Sequence, residues 1–304
     1  MSEYVLETSN LTKVYSKTKA LDNLNLKIRK SDIYGFIGKN GAGKSTAIKL
    51  IAGLISPSEG EIKLFGNMSL NKARKKIGVV IESPAFYPYM SARQNIQVQC
   101  MLRNITDSTV VDELLKLVGL DTAGNKKAKN FSLGMKQRLG IALALVGDPE
   151  FLILDEPING LDPMEIKEFR ELLVKLNQQA GITILISSHI LGELSKMCTA
   201  YGVINDGVLV SQITAEELKE KIRPVIKLTV NNPEKAIEIL SQDLNINSFE
   251  SKDNVINIYD SGDRYVEIIN SIEKENIIIQ SVSKEEADYE DYFIKLMQGG
   301  NEVA

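Results

Sequence analysis

The chain has 304 residues, 43% of them apolar and 25% charged, enough apolar material to fill a core in each of two domains. No apolar run approaches the roughly 20 residues that a spanning helix needs, and the opening Met1-Ser2-Glu3 lacks the basic and apolar regions of a secretory leader, so a cytoplasmic chain is expected. The net charge of −4 divides unevenly: residues 225–304 carry 7 Lys/Arg against 16 Asp/Glu, which argues against a nucleic-acid grip there, since phosphate binding rests on clustered cations.

In chain order, Tyr15 stands ahead of the first expected sheet residues. The run Ile33 to Ile37 reads as a buried strand and leads into Gly38-Lys39-Asn40-Gly41-Ala42-Gly43-Lys44-Ser45-Thr46, a phosphate loop, after which a helix is expected over Ala47 to Leu54. The glycines let backbone amides turn inward around a phosphate, Lys44 reaches the outer phosphates as a point charge, and Ser45 can place its hydroxyl on a magnesium ion. A second strand, Ile77 to Ile81, is followed by Glu82-Ser83-Pro84 and an aromatic loop with Phe86, Tyr87 and Pro88. Cys100 and Cys198, in helix-like segments without partnering spacing, are read as reduced, buried thiols.

Further on, Phe131-Ser132-Leu133-Gly134-Met135-Lys136-Gln137-Arg138 leads into an apolar helix, Leu139 to Val146. The strand Phe151 to Leu154 ends in Asp155-Glu156-Pro157, then comes Asn159-Gly160-Leu161-Asp162-Pro163, and the strand Ile182 to Ser187 ends in Ser188 and the single histidine, His189. Strands alternating with helices predict an α/β domain with a largely parallel sheet. A capping box at Thr214 to Glu217 opens a helix to Ile222 that Pro224 stops, which puts the domain division at 1–223 and 224–304. The second domain reads as strand (Val225 to Val230), helix (Pro233 to Ser241), strand (Ile246 to Glu250), strand (Val255 to Tyr259), helix (Asp263 to Glu273) and strand (Asn276 to Val282), the βαββαβ order of the ferredoxin-like split motif. In the closing segment Glu285 to Met297, the residues Tyr289, Phe293, Leu296 and Met297 form a core-facing helical stripe.

These motifs, in this order, resemble the ATP-binding-cassette (ABC) family: the phosphate loop, the Phe131 to Arg138 segment as its signature, Phe151 to Glu156 as its second nucleotide motif, Asn159 to Pro163 as its D-loop and His189 as its switch histidine. The resemblance implies an ABC-type P-loop ATPase domain with a helical signature subdomain, a small α+β domain behind it, and ATP with Mg2+ as cofactors. Asn40 and Thr46 enter the nucleotide site with the rest of the loop, and Asp162 with the D-loop. Ser45, Asp155 and Glu82 are the metal candidates, because a hard ion prefers oxygen. Glu156, Lys44 and His189 are the catalytic candidates: Glu156 accepts a proton from the attacking water, and His189 bonds the γ-phosphate. Tyr15 lies where the family often stacks a ring on adenine, a packing tyrosine being the alternative. In the family the signature contacts nucleotide bound by a second subunit, so Ser132 and the Gly134 amide are expected to complete a partner's site in a homodimer.

Two departures narrow the resemblance. Glu82 stands where most members carry glutamine, and the signature has Leu133 and Met135 where glycine and glutamine are usual. Both occur in the ATPases of bacitracin-type and lantibiotic self-protection transporters, which this chain looks like over nearly its whole length. That resemblance implies a homodimer docked on separate integral-membrane subunits at the inner face of the cell membrane, exporting antimicrobial peptides without touching the cargo, with the Pro84 to Pro88 loop receiving the membrane partner. An exporter of another cargo, and a non-transport ATPase of translation or DNA repair, are the rival readings; the tail is expected to be a regulatory ligand-binding module, or else a dimerisation or packing element.

Overall fold

The computed structural model describes residues 3–66, 68–222, 225–259, 264–285 and 289–297. It opens with β1 (Tyr4–Tyr15), β2 (Thr18–Leu24), β3 (Lys27–Arg29), β4 (Ile33–Ile37), α1 (Lys44–Ala52) and β5 (Glu59–Leu64). β1 pairs antiparallel with β2, β3 and β5, a sheet that the sequence reading did not anticipate. Tyr15 therefore closes a twelve-residue strand, opposite Thr18, rather than preceding the sheet. Thr8, on β1, holds the turn between β2 and β3: its hydroxyl donates to the Leu24 carbonyl at 2.8 Å and accepts from the Leu26 amide at 2.8 Å.

The chain continues through α2 (Leu70–Ala73), β6 (Ile77–Ile81), α3 (Ala92–Leu102), α4 (Thr109–Leu117), α5 (Leu133–Leu145), β7 (Phe151–Asp155), α6 (Pro163–Ala180), β8 (Thr183–Ser188), α7 (Leu191–Leu194), β9 (Ala200–Asn205) and β10 (Val208–Thr214). A six-stranded sheet runs β10-β9-β4-β8-β7-β6, parallel except for the antiparallel edge strand β10. The central strands β4, β7 and β8 are buried along their whole length, because a parallel sheet is covered on both faces, and this is why they read in sequence as unbroken apolar runs. One core joins the antiparallel sheet (Val5, Leu6, Leu24, Ile28, Leu64), α1 (Ala47, Ile48, Ile51) and the central sheet (Phe36, Phe151, Ile153, Leu185). At roughly 1.5–3 kcal/mol for each large side chain fully buried, these contacts fix α1 between the two sheets. Helices α3, α4 and α5 pack on one another as the helical subdomain.

Two helix limits differ from expectation. α1 begins at Lys44 because Gly43 turns into the left-handed region before it, and it stops at Gly53, also left-handed. α5 begins at Leu133, not Leu139, so the signature residues form its first turns instead of a lead-in, with Ser132 as the N-cap. Both cysteines are buried and free; Cys100 lies on α3, whereas Cys198 follows the short α7 rather than lying in a helix.

A second compact unit begins at Glu216, within α8 (Ala215–Lys221), and runs to Lys295. It holds β11 (Val225–Val230), α9 (Pro233–Glu238), β12 (Phe249–Lys252), β13 (Val255–Tyr259), α10 (Tyr265–Lys274), β14 (Ile279–Glu285) and most of α11 (Tyr289–Met297). Its sheet is antiparallel in the order β12-β13-β11-β14. Ile226, Leu228, Ile256 and Ile258 on the strands close on Leu240, Ile268 and Ile272 from the helical segments. The division read at 223/224 falls on residues outside those described, as does the expected helix start at Asp263. The strand expected from Ile246 begins at Phe249, and the last strand sits three residues later than expected. In α11, Phe293, Leu296 and Met297 are buried and Tyr289 is half-buried.

Thr8→Val, which keeps the shape but leaves the Leu24 carbonyl and Leu26 amide unpaired, is expected to destabilise the cassette by about 1–3 kcal/mol, measured as a lower denaturant midpoint.

Candidate active site

Strand register brings the sequence candidates into a row. Ile37 pairs with Ser188, Ser187 with Asp155, and Asp155 with Ile81, so the carboxyl ends of β4, β8, β7 and β6 lie side by side. The residues that leave those ends are, in order across the sheet, Gly38 with its loop, His189, Glu156 and Glu82. Ligands of open α/β sheets collect at this edge.

Gly41 and Gly43 have φ of 84° and 109°. A Cβ on Gly43 would lie 2.7 Å from the Ala20 carbonyl, whereas one on Gly41 would meet nothing within 4 Å, so the loop is packed on one side and open on the other. Asn40 is exposed at its tip, and Ser45 and Thr46 are half-buried in the first turn of α1. Lys44 is only 5% exposed and donates to the carbonyls of Gly38 at 2.6 Å and Lys39 at 3.3 Å. A buried ammonium beside the amides of a helix N-terminus is an anion site.

Two carboxylates end β7 and meet different surroundings. Asp155 is fully buried; its Oδ1 accepts from the Ser187 hydroxyl at 2.6 Å, and its Oδ2 has no hydrogen-bond partner among the described residues. The same Ser187 oxygen accepts from the Glu156 amide at 2.9 Å. Glu156 then turns into the left-handed region, φ 51°, which carries its side chain across the row of strand ends. Its Oε1 stands 3.1 Å from Lys44 Nζ, an ion pair whose alignment falls outside hydrogen-bond geometry, and its Oε2 is 3.0 Å from His189 Nδ1. One carboxylate thus bridges the phosphate-loop lysine and the only histidine.

The unpartnered, buried oxygen of Asp155 suits a hard cation, and Ser45 at the start of α1 offers a hydroxyl of the same preference. No group of three or more His, Cys, Asp or Glu among the described residues could hold a metal by itself.

Glu82 also adopts a left-handed conformation, φ 57°, and its Oε1 lies 3.1 Å from Lys49 Nζ. Glu82 and Glu156 share a cavity of about 490 Å³ with Phe86, Leu133, Lys136 and Gln137. At the signature, Ser132 is exposed and its hydroxyl accepts from the Met135 amide at 3.1 Å. Gly134 leaves room for the Glu165 carboxylate, which a Cβ would meet at 2.4 Å. Asp162 caps α6, its Oδ1 accepting from the amides of Met164 at 2.9 Å and Glu165 at 2.8 Å. Tyr15 is 48% exposed, with the Lys13 ammonium 5.1 Å from its ring centre.

Sequence reasoning missed two positioning residues. Ser187 ties Asp155 to Glu156, and a serine at a strand end carries no local signal for that task. Asn95, buried on α3, accepts from the Tyr87 amide at 2.7 Å and donates to the Tyr87 carbonyl at 3.1 Å. It pins the aromatic loop with the Tyr87 and Tyr89 rings outward. A polar residue inside the apolar face of a helix was the available clue.

A phosphate loop at the centre of a parallel sheet, with an Asp-Glu pair close by on that sheet and a helical subdomain between, defines an ATP-hydrolysing cassette. The ABC transporter family profile matches residues 21–159. The chain is 40% identical to the bacitracin transport ATP-binding protein BcrA of Bacillus licheniformis, over 97% of this chain and 98% of that protein. It is 43% identical to the lantibiotic transport ATP-binding protein SrtF of Streptococcus pyogenes, over 68% of this chain and 89% of the other. Among solved structures, the dimeric post-hydrolysis state of the ATP-binding cassette MJ0796 bound to ADP and Pi superposes with a TM-score of 0.63 at 27% identity, covering 69% of this chain and 98% of that one. The chain belongs to the ABC transporter family as an ATP-binding subunit, an ATPase whose cofactors are ATP and Mg2+.

Ser187→Ala removes the bond to Asp155 and one acceptor of the Glu156 amide. The expected outcome is a loss of about 1–3 kcal/mol of stability together with an ATPase rate at least roughly tenfold lower, read by unfolding and by steady-state phosphate release.

Proposed function

We propose that this chain is the motor of a membrane exporter that removes antimicrobial peptides of the bacitracin or lantibiotic kind, conferring self-protection or resistance. The similarity to BcrA along almost the entire length, second unit included, supports that cargo class. Among the described residues no helix is long and apolar enough to cross a membrane. The path for cargo belongs to separate membrane subunits, and the motor works at the inner face of the cell membrane. The outward Tyr87 and Tyr89, on a loop fixed by Asn95, form the face that receives those subunits.

The bridge from Lys44 through Glu156 to His189 carries the mechanistic reading. In the resting chain Glu156 supplies the negative charge that Lys44 requires. With ATP bound, Lys44 would turn its charge to the phosphate, leaving the Glu156 carboxylate free to accept a proton from water. With both ring nitrogens protonated, His189 can donate to Glu156 through Nδ1 and to the phosphate through Nε2. A positioned base of this kind is worth about 10²–10⁴ in rate. Ser45 and Asp155, joined by Glu82, would hold Mg2+, which would offset phosphate charge. Tyr15, with its ring half exposed, stacks on adenine.

Two copies form the working unit. The N-terminus of α5, with Ser132 exposed and the Gly134 amide in its first turn, supplies hydrogen-bond donors and a favourable dipole for the γ-phosphate held by the other copy. Asp162 shapes the adjoining D-loop by capping α6.

Glu156→Gln is expected to cut hydrolysis by about a hundredfold or more while leaving ATP bound, trapping a dimer visible by size-exclusion chromatography; full turnover in this variant would overturn the assignment of the base. Lys44→Ala is expected to weaken ATP binding itself, by about tenfold or more in equilibrium titration. For cargo, the measurement is survival of a sensitive bacterium against a panel of peptide antibiotics when it expresses this chain with its membrane subunits. Resistance with the native chain and none with Glu156→Gln is the expected result; equal survival of both after verified assembly would reject peptide export.

A further inference from the structure

Three carboxylates, Glu82, Asp155 and Glu156, end adjacent strands of one sheet, and the structure meets two of them with lysines from the same helix. Lys44, at the start of α1, faces Glu156 at 3.1 Å; Lys49, in its last turn, faces Glu82 at 3.1 Å. Lys49 lies four residues beyond Ser45, so the two share a face of α1 about one turn, roughly 5–6 Å, apart. The left-handed backbone of Glu82 fixes where its side chain leaves the chain, and the side chain also borders the cavity that contains Glu156. Ile81, the residue before Glu82, pairs with Asp155, so Glu82 leaves its strand beside the strand end that carries the buried carboxylate, while its own carboxylate rests on the Lys49 ammonium.

We infer that Lys49 is a positioning residue for metal binding, holding the Glu82 carboxylate one helical turn away from Ser45 and so setting how readily that carboxylate joins the magnesium site. The inference rests on the reading of Glu82 as a group that can face the metal. Glu82 is 69% exposed at its side chain and Lys49 36%, so the pair is weak enough to exchange. An exposed pair of this kind biases an equilibrium by about two- to fivefold. A glutamine at position 82 carries no charge for Lys49 to hold, so the device belongs to the glutamate form of this loop.

The test measures Mn2+ binding by paramagnetic resonance in the presence of the full chain and β,γ-imido-ATP, with the Mg2+ dependence of ATP hydrolysis as a second readout. Lys49→Met is expected to tighten Mn2+ by about two- to fivefold. Lys49→Arg, which keeps the charge, is expected to stay near wild type. Glu82→Gln is expected to weaken Mn2+, and adding Lys49→Met to it to change little further. An equal shift from Lys49→Met in both backgrounds, or a Lys49→Arg variant that behaves like Lys49→Met, would overturn the inference, since Lys49 would then act without Glu82 or without its charge. If Lys49→Met changes nothing while Glu82→Gln still weakens Mn2+, the role of Lys49 falls and that of Glu82 stands. If Glu82→Gln leaves Mn2+ binding untouched, both fall.

Discussion

Lys44 is a cation that water hardly reaches, and its charge has to be met from within the protein. Burying a charge without a partner costs several kcal/mol, so the site is arranged around supplying one. The Gly38 and Lys39 carbonyls and the Glu156 carboxylate do so at rest. Each depends on a different piece of the fold. The carbonyls require the loop to wrap back over α1; Glu156 requires β7 to end level with β4 and β8; and α1 must be held between two sheets that share its apolar side. The antiparallel sheet, which contributes none of the candidate acids or lysines, thereby helps determine where the phosphate-loop lysine sits.

Backbone strain marks the two acids that face the cavity. Glu82 and Glu156 both occupy the left-handed region, where a long side chain costs about 1–3 kcal/mol. A strand that ran on in extended form would alternate its side chains across the faces of the sheet and bury both acids among the helices. The sharp turn sends them over the sheet edge instead, where one meets Lys44 and the other Lys49. Asp155, one residue earlier and still extended, remains below, held by Ser187.

The parallel strands were legible because burial on both faces leaves a continuous apolar word in the sequence: Ile33 to Ile37, Ile77 to Ile81 and Phe151 to Leu154 appear as strands nearly to the residue. The succession of strands and helices in the second unit was legible too, since β11 and β13 alternate and α10 carries an apolar stripe, but β12 and β14 each begin three residues later than expected. β1 was not, because Glu7, Ser9, Asn10 and Lys13 interrupt it and its register shifts against all three partners. Among site residues, those that belong to contiguous motifs could be named in advance. Ser187, Asn95 and Lys49 could not, because what each does is fixed by a residue 8 to 33 positions away along the chain.

The burial of Cys100 and Cys198 gives the molecule a further property. Burial pushes the Cys198 thiol well above its usual range and raises that of Cys100, which keeps both in the unreactive protonated form. Because both thiols also lie beneath the surface, the folded chain is expected to react slowly with maleimides and similar reagents. A single cysteine introduced beside the outward Tyr89 ring would take a fluorophore almost alone, turning the native sequence into a ready background for watching that loop while nucleotide comes and goes.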